Sequence, residues 1–222
     1  MSGDRPVTGD TISAPLDPVL AGYLSGHVPW GVGDEIVWRV PEPRFYLDLA
    51  HARFPDSVWK RTRRLGWTGR INGDFEQVLQ GVAETPRSND TEWITPAIAD
   101  QYRALHRAGL ASSFEVWNGD DLIAGELGVL VGGVYFCETK FHRVAESGNF
   151  LSGMAVLTLA NAGFSVYDAQ YGPAYLERFS TKGLEPFDAD TFPDLVARAA
   201  ARRYRHIGAG APAVLTKPVL PE

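Results

Sequence analysis

Asp168 and Gln170 stand two residues apart in the alternating stretch Ser165 to Gln170, a spacing that sends both side chains to one face of a strand. An aspartate and an amide so placed suit work on an amine. The carboxylate can hold or deprotonate an incoming ammonium, and the amide can orient the amine or donate to a developing oxyanion. A strand aspartate is also a common structural hydrogen-bonder, so the pair alone does not decide between the two roles. Other chemistries find less support. Cys137 is the single cysteine and the five histidines include no His-x-x-x-His pair, so neither a disulfide nor a metal site is expected. No serine or cysteine elbow with a partner histidine is visible. Arg205-His206-Ile207-Gly208-Ala209-Gly210 fits an R-x-x-G-x-G pyrophosphate loop, but Ala211-Pro212-Ala213 follows it where a phosphate-binding helix would have to begin.

The elements that hold these residues can be read along the chain. Its 222 residues, 45% hydrophobic, suffice for one main domain with a small appendage. Residues 1 to about 18, rich in Pro, Gly, Ser, Thr and Asp, read as a mobile tail. A short helix near Asp17 to Ser25 follows, then a turn over Gly26 to Gly31, then a strand from Glu35 that Pro41-Glu42-Pro43 stops. We take residues 1–60 as a small N-terminal α/β domain with its tail and residues 61–222 as the main domain. Asp74 to Val82 reads as a helix. Thr95-Pro96 opens another, with Thr95 as N-cap and Ile98, Tyr102 and Leu105 on one face. Ser113 to Trp117, Leu122 to Leu130 and Val134 to Phe141, separated by turn residues, make three consecutive antiparallel strands. Phe150 to Ala162 is an apolar run long enough for a buried helix. The fold class expected is α+β.

A net charge of −6 argues against broad nonspecific nucleic-acid binding. Lys60, Arg61, Arg63, Arg64 and Arg70 nevertheless gather five cations into eleven residues, either as a solvated face or as a phosphate contact. No apolar run approaches the roughly 20 residues that span a bilayer, and the N-terminus lacks the order of a signal peptide, so no membrane contact and a cytoplasmic location are expected.

Six segments carry identity beyond composition. They are Gly22-Tyr23 with Gly26-His27-Val28-Pro29-Trp30, Glu35 to Arg44, Thr91-Glu92-Trp93-Ile94-Thr95, Ser113-Phe114-Glu115-Val116-Trp117, Glu138-Thr139-Lys140-Phe141-His142-Arg143, and Tyr167-Asp168-Ala169-Gln170. In this order and spacing they resemble the landmarks G-x-x-PW, W-x-x-P-x-PR, WIT, EVW, E-x-x-F-x-R and D-x-Q of the leucyl/phenylalanyl-tRNA-protein transferase family, over residues about 20 to 187. The resemblance implies a GNAT-like acyltransferase domain with a small N-terminal α/β appendage. It also implies an aminolysis in which an amine takes the aminoacyl group from the ester of a charged tRNA, without cofactor, metal or ATP. On matching positions it implies Asp168, Gln170 and Glu138 as the catalytic set and Trp30 and Trp93 as the holders of the tRNA 3′-adenosine. The basic stretch Lys60 to Arg70 would then meet tRNA phosphates.

Five positions of the aminoacyl pocket depart from the family. Glu126 and Lys140 fall where methionines are usual, Ala155 and Leu159 where aromatics are common, and Tyr167 where an aliphatic residue is typical. A lone buried charge is costly unless paired, so two readings stay open: a Glu126 to Lys140 bridge, or recognition of a polar donor. Glu146-Ser147-Gly148-Asn149 and the loop after Gln170 also depart, which leaves the acceptor as either the N-terminal Arg or Lys of a protein or a small amine metabolite. An acetyl-CoA-dependent GNAT N-acetyltransferase and a noncatalytic tRNA-binding module are the alternative functions.

Overall fold

The computed structural model describes residues 16–85, 93–187, 190–200 and 207. The expected N-terminal tail up to residue 15, and all of the Arg205 to Gly210 segment but Ile207, lie outside the described residues. Helix α1 (Asp17–Leu24) carries a proline in its first turn, where a missing N–H leaves no helical hydrogen bond unmade. Gly26, at φ +85°, turns the chain. The stretch expected to be a turn through Gly31 is instead mostly extended, because β1 (Val28–Val32) pairs antiparallel with β2 (Glu35–Arg39) across a two-residue loop at Gly33 and Asp34. This hairpin is a sheet of its own, and it docks where the Gly31 N–H donates to the Trp93 carbonyl at 3.1 Å.

The chain then enters the main sheet with β3 (Arg44–Asp48), a strand that the proline stop hid from view, and passes through a 3-10 turn at Leu49–His51. There follow α2 (Asp56–Thr62), β4 (Thr68–Ile71) and α3 (Phe75–Ala83), the last capped by Asp74, whose carboxylate accepts the Gln77 N–H at 2.9 Å. Helix α4 (Pro96–Arg107) buries Ile98, Tyr102 and Leu105, as their spacing requires. Thr95 occupies its N-cap position, but its hydroxyl makes no capping bond. Strands β5 (Ala111–Asn118), β6 (Asp121–Val131) and β7 (Val134–His142) form the expected meander. Helix α5 (Ser147–Asn161) starts three residues earlier than its apolar run and crosses over to β8 (Val166–Gln170). A second 3-10 segment at Ala174–Phe179, β9 (Glu185–Phe187) and α6 (Phe192–Ala200) complete the chain.

The seven-stranded sheet runs β4-β5-β6-β7-β8-β3-β9, antiparallel throughout except for the parallel pair β7 and β8, so the architecture is a mixed α+β one. Residues before position 60 are therefore divided between the separate hairpin and an interior strand of the main sheet. Alternation along β7 and β8 splits the core in two. Phe136 and Val166 face one cluster with Tyr23, Val78 and Tyr102, while Tyr135 and Tyr167 face another with Phe114, Leu151 and Met154 of α5. Helices on both faces explain why β5 to β7 are buried almost along their whole length. Among the described residues no helix is long and apolar enough to cross a membrane.

The hairpin's docking rests on Gly31. A Cβ at that position would run into the Trp93 carbonyl oxygen and lie 2.7 Å from the Thr95 hydroxyl. Gly31→Ala is expected to destabilise the protein by about 1–3 kcal/mol, the range for overpacking a site that cannot relax. Chemical denaturation of the two proteins side by side checks this, and an unchanged midpoint would contradict it.

Candidate active site

The carboxyl ends of the parallel strands β7 and β8 open onto a cavity of about 430 Å³ whose wall includes Trp30, Trp93, Glu138, Lys140, Gln170, Tyr171 and Tyr175. That volume falls within the roughly 300–1,000 Å³ usual for small-molecule sites. The catalytic candidates Glu138 and Gln170 and both candidate adenosine-binding tryptophans therefore meet at one place.

Glu138 is anchored by one oxygen and open at the other. Its Oε2 accepts the Tyr102 hydroxyl at 2.8 Å, and its Oε1 has no hydrogen-bond partner among the described residues. Burial pushes the carboxyl up to about 8; the Tyr102 hydrogen bond pulls against this and the Asp168 charge adds to it. A group with that value exchanges a proton close to neutral pH, which suits a general base. The spacing of α4 marks Tyr102 only as a core position. Its ring is in the core, and its hydroxyl does the anchoring.

Asp168 has a different situation. Arg44 on β3 donates Nε–H to its Oδ1 at 3.1 Å and a terminal N–H to its Oδ2, while the other terminal nitrogen donates to the Gly26 carbonyl. Both side chains are buried, and Arg44 lies 4.2 Å over the Phe192 ring. Asp168 Oδ1 also accepts the Gln170 N–H at 3.0 Å. With three donors on its oxygens Asp168 does not line the cavity, whereas Gln170 does. The backbone separates them: β3 and β8 shift register between Phe45 and Tyr46, opposite this point, and Gln170 sits at φ +51°. The Gln170 amide nitrogen is buried with no hydrogen-bond partner among the described residues, a donor held in reserve at the cavity. Arg44 stands in a sequence landmark, but its role depends on the pairing of β3 with β8, for which the sequence holds no local signal.

Glu126 and Lys140 are direct cross-strand neighbours on β6 and β7 and form the bridge that was one of the two open readings. Lys140 Nζ is 2.8 Å from Glu126 Oε2 and donates to Tyr167 Oη at 3.1 Å and Ser152 Oγ at 3.2 Å, while the Tyr167 hydroxyl donates to Glu126 Oε1 at 2.9 Å. The ammonium thus donates to two hydroxyls and pairs by charge with Glu126, whose Oε2 takes no hydrogen bond among the described residues. Of the five expected aminoacyl-pocket residues only Lys140 lines the cavity; Glu126, Ala155, Leu159 and Tyr167 are fully buried behind its wall. Cys137 also contributes to the wall. Burial pushes its thiol up to about 12, which keeps it protonated and poorly nucleophilic.

Trp30 and Trp93 stack on each other, centroids 5.2 Å apart with 25° between planes. The basic stretch stands away from the cavity, and none of its residues lines it. Lys60, Arg61, Arg63 and Arg64 are exposed on α2 and the turn after it, Arg61 pairs with Glu146 at 3.1 Å, and Arg70 on β4 packs 4.6 Å over Trp117.

Two solved structures resemble the fold distantly. The C-terminal domain (DUF2156) of a putative lysylphosphatidylglycerol synthetase from Agrobacterium fabrum is 13% identical with a TM-score of 0.43, covering 84% of this chain and 57% of that one. The L-PGS of Bacillus licheniformis is 11% identical with a TM-score of 0.45, covering 86% and 71%. Sequence relatives are much nearer. The leucyl/phenylalanyl-tRNA--protein transferase of Shewanella sp. (strain W3-18-1) is 36% identical over 169 residues, 75% of this chain and 71% of its own. That of Thermosynechococcus vestitus is 33% identical over 165 residues, 74% of this chain and 82% of its own. A family profile described as leucyl/phenylalanyl-tRNA protein transferase matches residues 46–194, from β3 into α6 and through Glu138, Asp168 and Gln170. On that match and those identities, the chain belongs to the leucyl/phenylalanyl-tRNA-protein transferase family.

Proposed function

We propose that this chain moves the aminoacyl group of a charged tRNA onto an amine held in the cavity between Glu138 and Gln170. The observation that carries the reading is the pairing, in one wall, of a carboxylate with one oxygen free and an amide with an uncommitted N–H, beside two tryptophans. The amine nitrogen attacks the ester carbonyl carbon and a C–N bond forms. Glu138 Oε1 takes the proton that this nitrogen sheds. The Gln170 amide donates to the oxyanion while the C–O bond to the ribose breaks, and the departing ribose oxygen takes the proton back from Glu138. Asp168 acts as a positioning residue: its carboxylate fixes the Gln170 backbone while Arg44 fixes the carboxylate. Trp30 and Trp93 form the adenosine side of the cavity, and the exposed cations of α2 contact the tRNA stem.

Charge bookkeeping favours a cationic acceptor. Beside the cavity Asp168 is matched by Arg44 and Glu126 by Lys140, while Glu138, the one carboxylate among the described residues that lines the wall, has no ion-pair partner there. An amine fits there, on a protein N-terminus bearing Arg or Lys or on a small metabolite. We read the mixed sheet with helices on both faces as GNAT-like, with the Trp30 hairpin as its N-terminal appendage, in a protein of the cytoplasm where charged tRNA is found.

Incubation with a charged tRNA pool and candidate amines, peptidyl and small, is expected to give an amide detectable by mass spectrometry. The product should vanish after ribonuclease treatment, and acetyl-CoA turnover in its place would overturn the reading. The rate is expected to rise with pH through about 8, since only ionised Glu138 accepts a proton. Tyr102→Phe, which removes a bond favouring the ionised form, should move that limb to higher pH, and a pH profile of kcat/KM on both proteins reads the shift. Gln170→Ala should lower kcat by about tenfold to a thousandfold with the fold intact. Asp168→Asn should lower both activity and stability, because it leaves Arg44 buried without its counter-ion, at a cost of about 3–5 kcal/mol. Equal melting temperatures for the two variants would remove the positioning role from Asp168.

A further inference from the structure

Arg39, the last residue of β2 and the register partner of Val28, lays its guanidinium 4.9 Å over the indole of Trp30. It is exposed, and no carboxylate or carbonyl among the described residues takes its N–H groups. Arg44 beside the site is engaged by Asp168, and Arg61, away from the cavity on α2, by Glu146. Arg70 is stacked in the same way over Trp117, but Trp117 is not part of the cavity. Stacking alone is thus not the signal; what sets Arg39 apart is that its aromatic support is a cavity wall. A guanidinium is planar and holds its five donors at its rim, so one supported by a ring can still meet an anion in bidentate fashion.

The direction of the substrate then follows from the wall itself. If the ester lies at Glu138 and Gln170, the ribose and base of the last nucleotide occupy the Trp30 and Trp93 side, and the strand must leave past Trp30. The first charged group it presents there is the phosphodiester on the 5′ side of that nucleotide. We propose that Arg39 binds this phosphate and so separates a nucleotide that belongs to an RNA 3′ end from a free nucleoside. The assignment rests on the charged-tRNA reading and adds a binding residue to it. In a chain of net charge −6, an uncommitted cation beside a tryptophan of the cavity wall has a clear electrostatic use.

The test is binding of the trinucleotide CCA and of adenosine to the full chain, followed by tryptophan fluorescence at several salt concentrations. Wild type should prefer CCA by roughly tenfold at low salt, and Arg39→Ala should lose most of that preference and lower the salt slope by about one. Arg39→Lys should keep part of it, while adenosine binding stays the same in all three proteins. An unchanged preference in Arg39→Ala overturns the proposal. So does an equal loss for CCA and adenosine, which would mean that Arg39 only supports Trp30. Turnover is scored separately: a wild type inactive with every charged tRNA that still shows the Arg39-dependent preference refutes the transferase reading and leaves the phosphate site standing.

Discussion

The buried ion pair of Arg44 and Asp168 is the constraint on which the site depends. One guanidinium ties three parts of the chain together: β3, which carries it, β8, which carries Asp168, and the Gly26 turn that launches the hairpin with Trp30. A buried pair contributes little net stability compared with apolar packing, because both groups give up hydration. Its effect here is geometric. Asp168 in turn holds the backbone of Gln170, so the amide that faces the cavity is fixed through two successive contacts from a strand that has no residue in it.

Charge in the interior is arranged on the same principle. Glu126 and Lys140 neutralise each other and draw in Tyr167 and Ser152, so three strands and α5 share one polar network that reaches the cavity at Lys140. Within that network the two charges are matched. Glu138 is the exception. Held by a tyrosine and not by a cation, it keeps a proton affinity far above an ordinary glutamate's.

Much of this could be read from the residues. The turn dipeptides around the β5 to β7 meander, the proline and apolar spacing of α4, and the long apolar run of α5 are local signals, and each element formed where its signal lay. Glu138 and Gln170 are candidates because their landmarks carry them, and both line one cavity. What stayed hidden depends on nonlocal pairing. Pro41 and Pro43 end β2 as expected, but the strand that follows them is recognisable only once β8 and β9 stand on either side of it. The role of Arg44, and the difference between Asp168 and Gln170, lie in that same pairing. Strand periodicity puts Asp168 and Gln170 on one face; a register shift and a positive φ at Gln170 undo the rule within two residues.

The insertion of β3 between β8 and β9 also bears on how the molecule is made. Arg44 must wait for a partner 124 residues further along the chain, and the parallel pairing of β7 with β8 requires α5 to cross over first. Contacts of such sequence separation close late, after the loop entropy has been overcome. A nascent chain emerging from the ribosome can fold its meander early, but the wall that holds Gln170 cannot assemble until β8 has appeared and β3 has docked beside it. The candidate site therefore waits on β8, and a chain that stops short of that strand carries Glu138 without the wall opposite it.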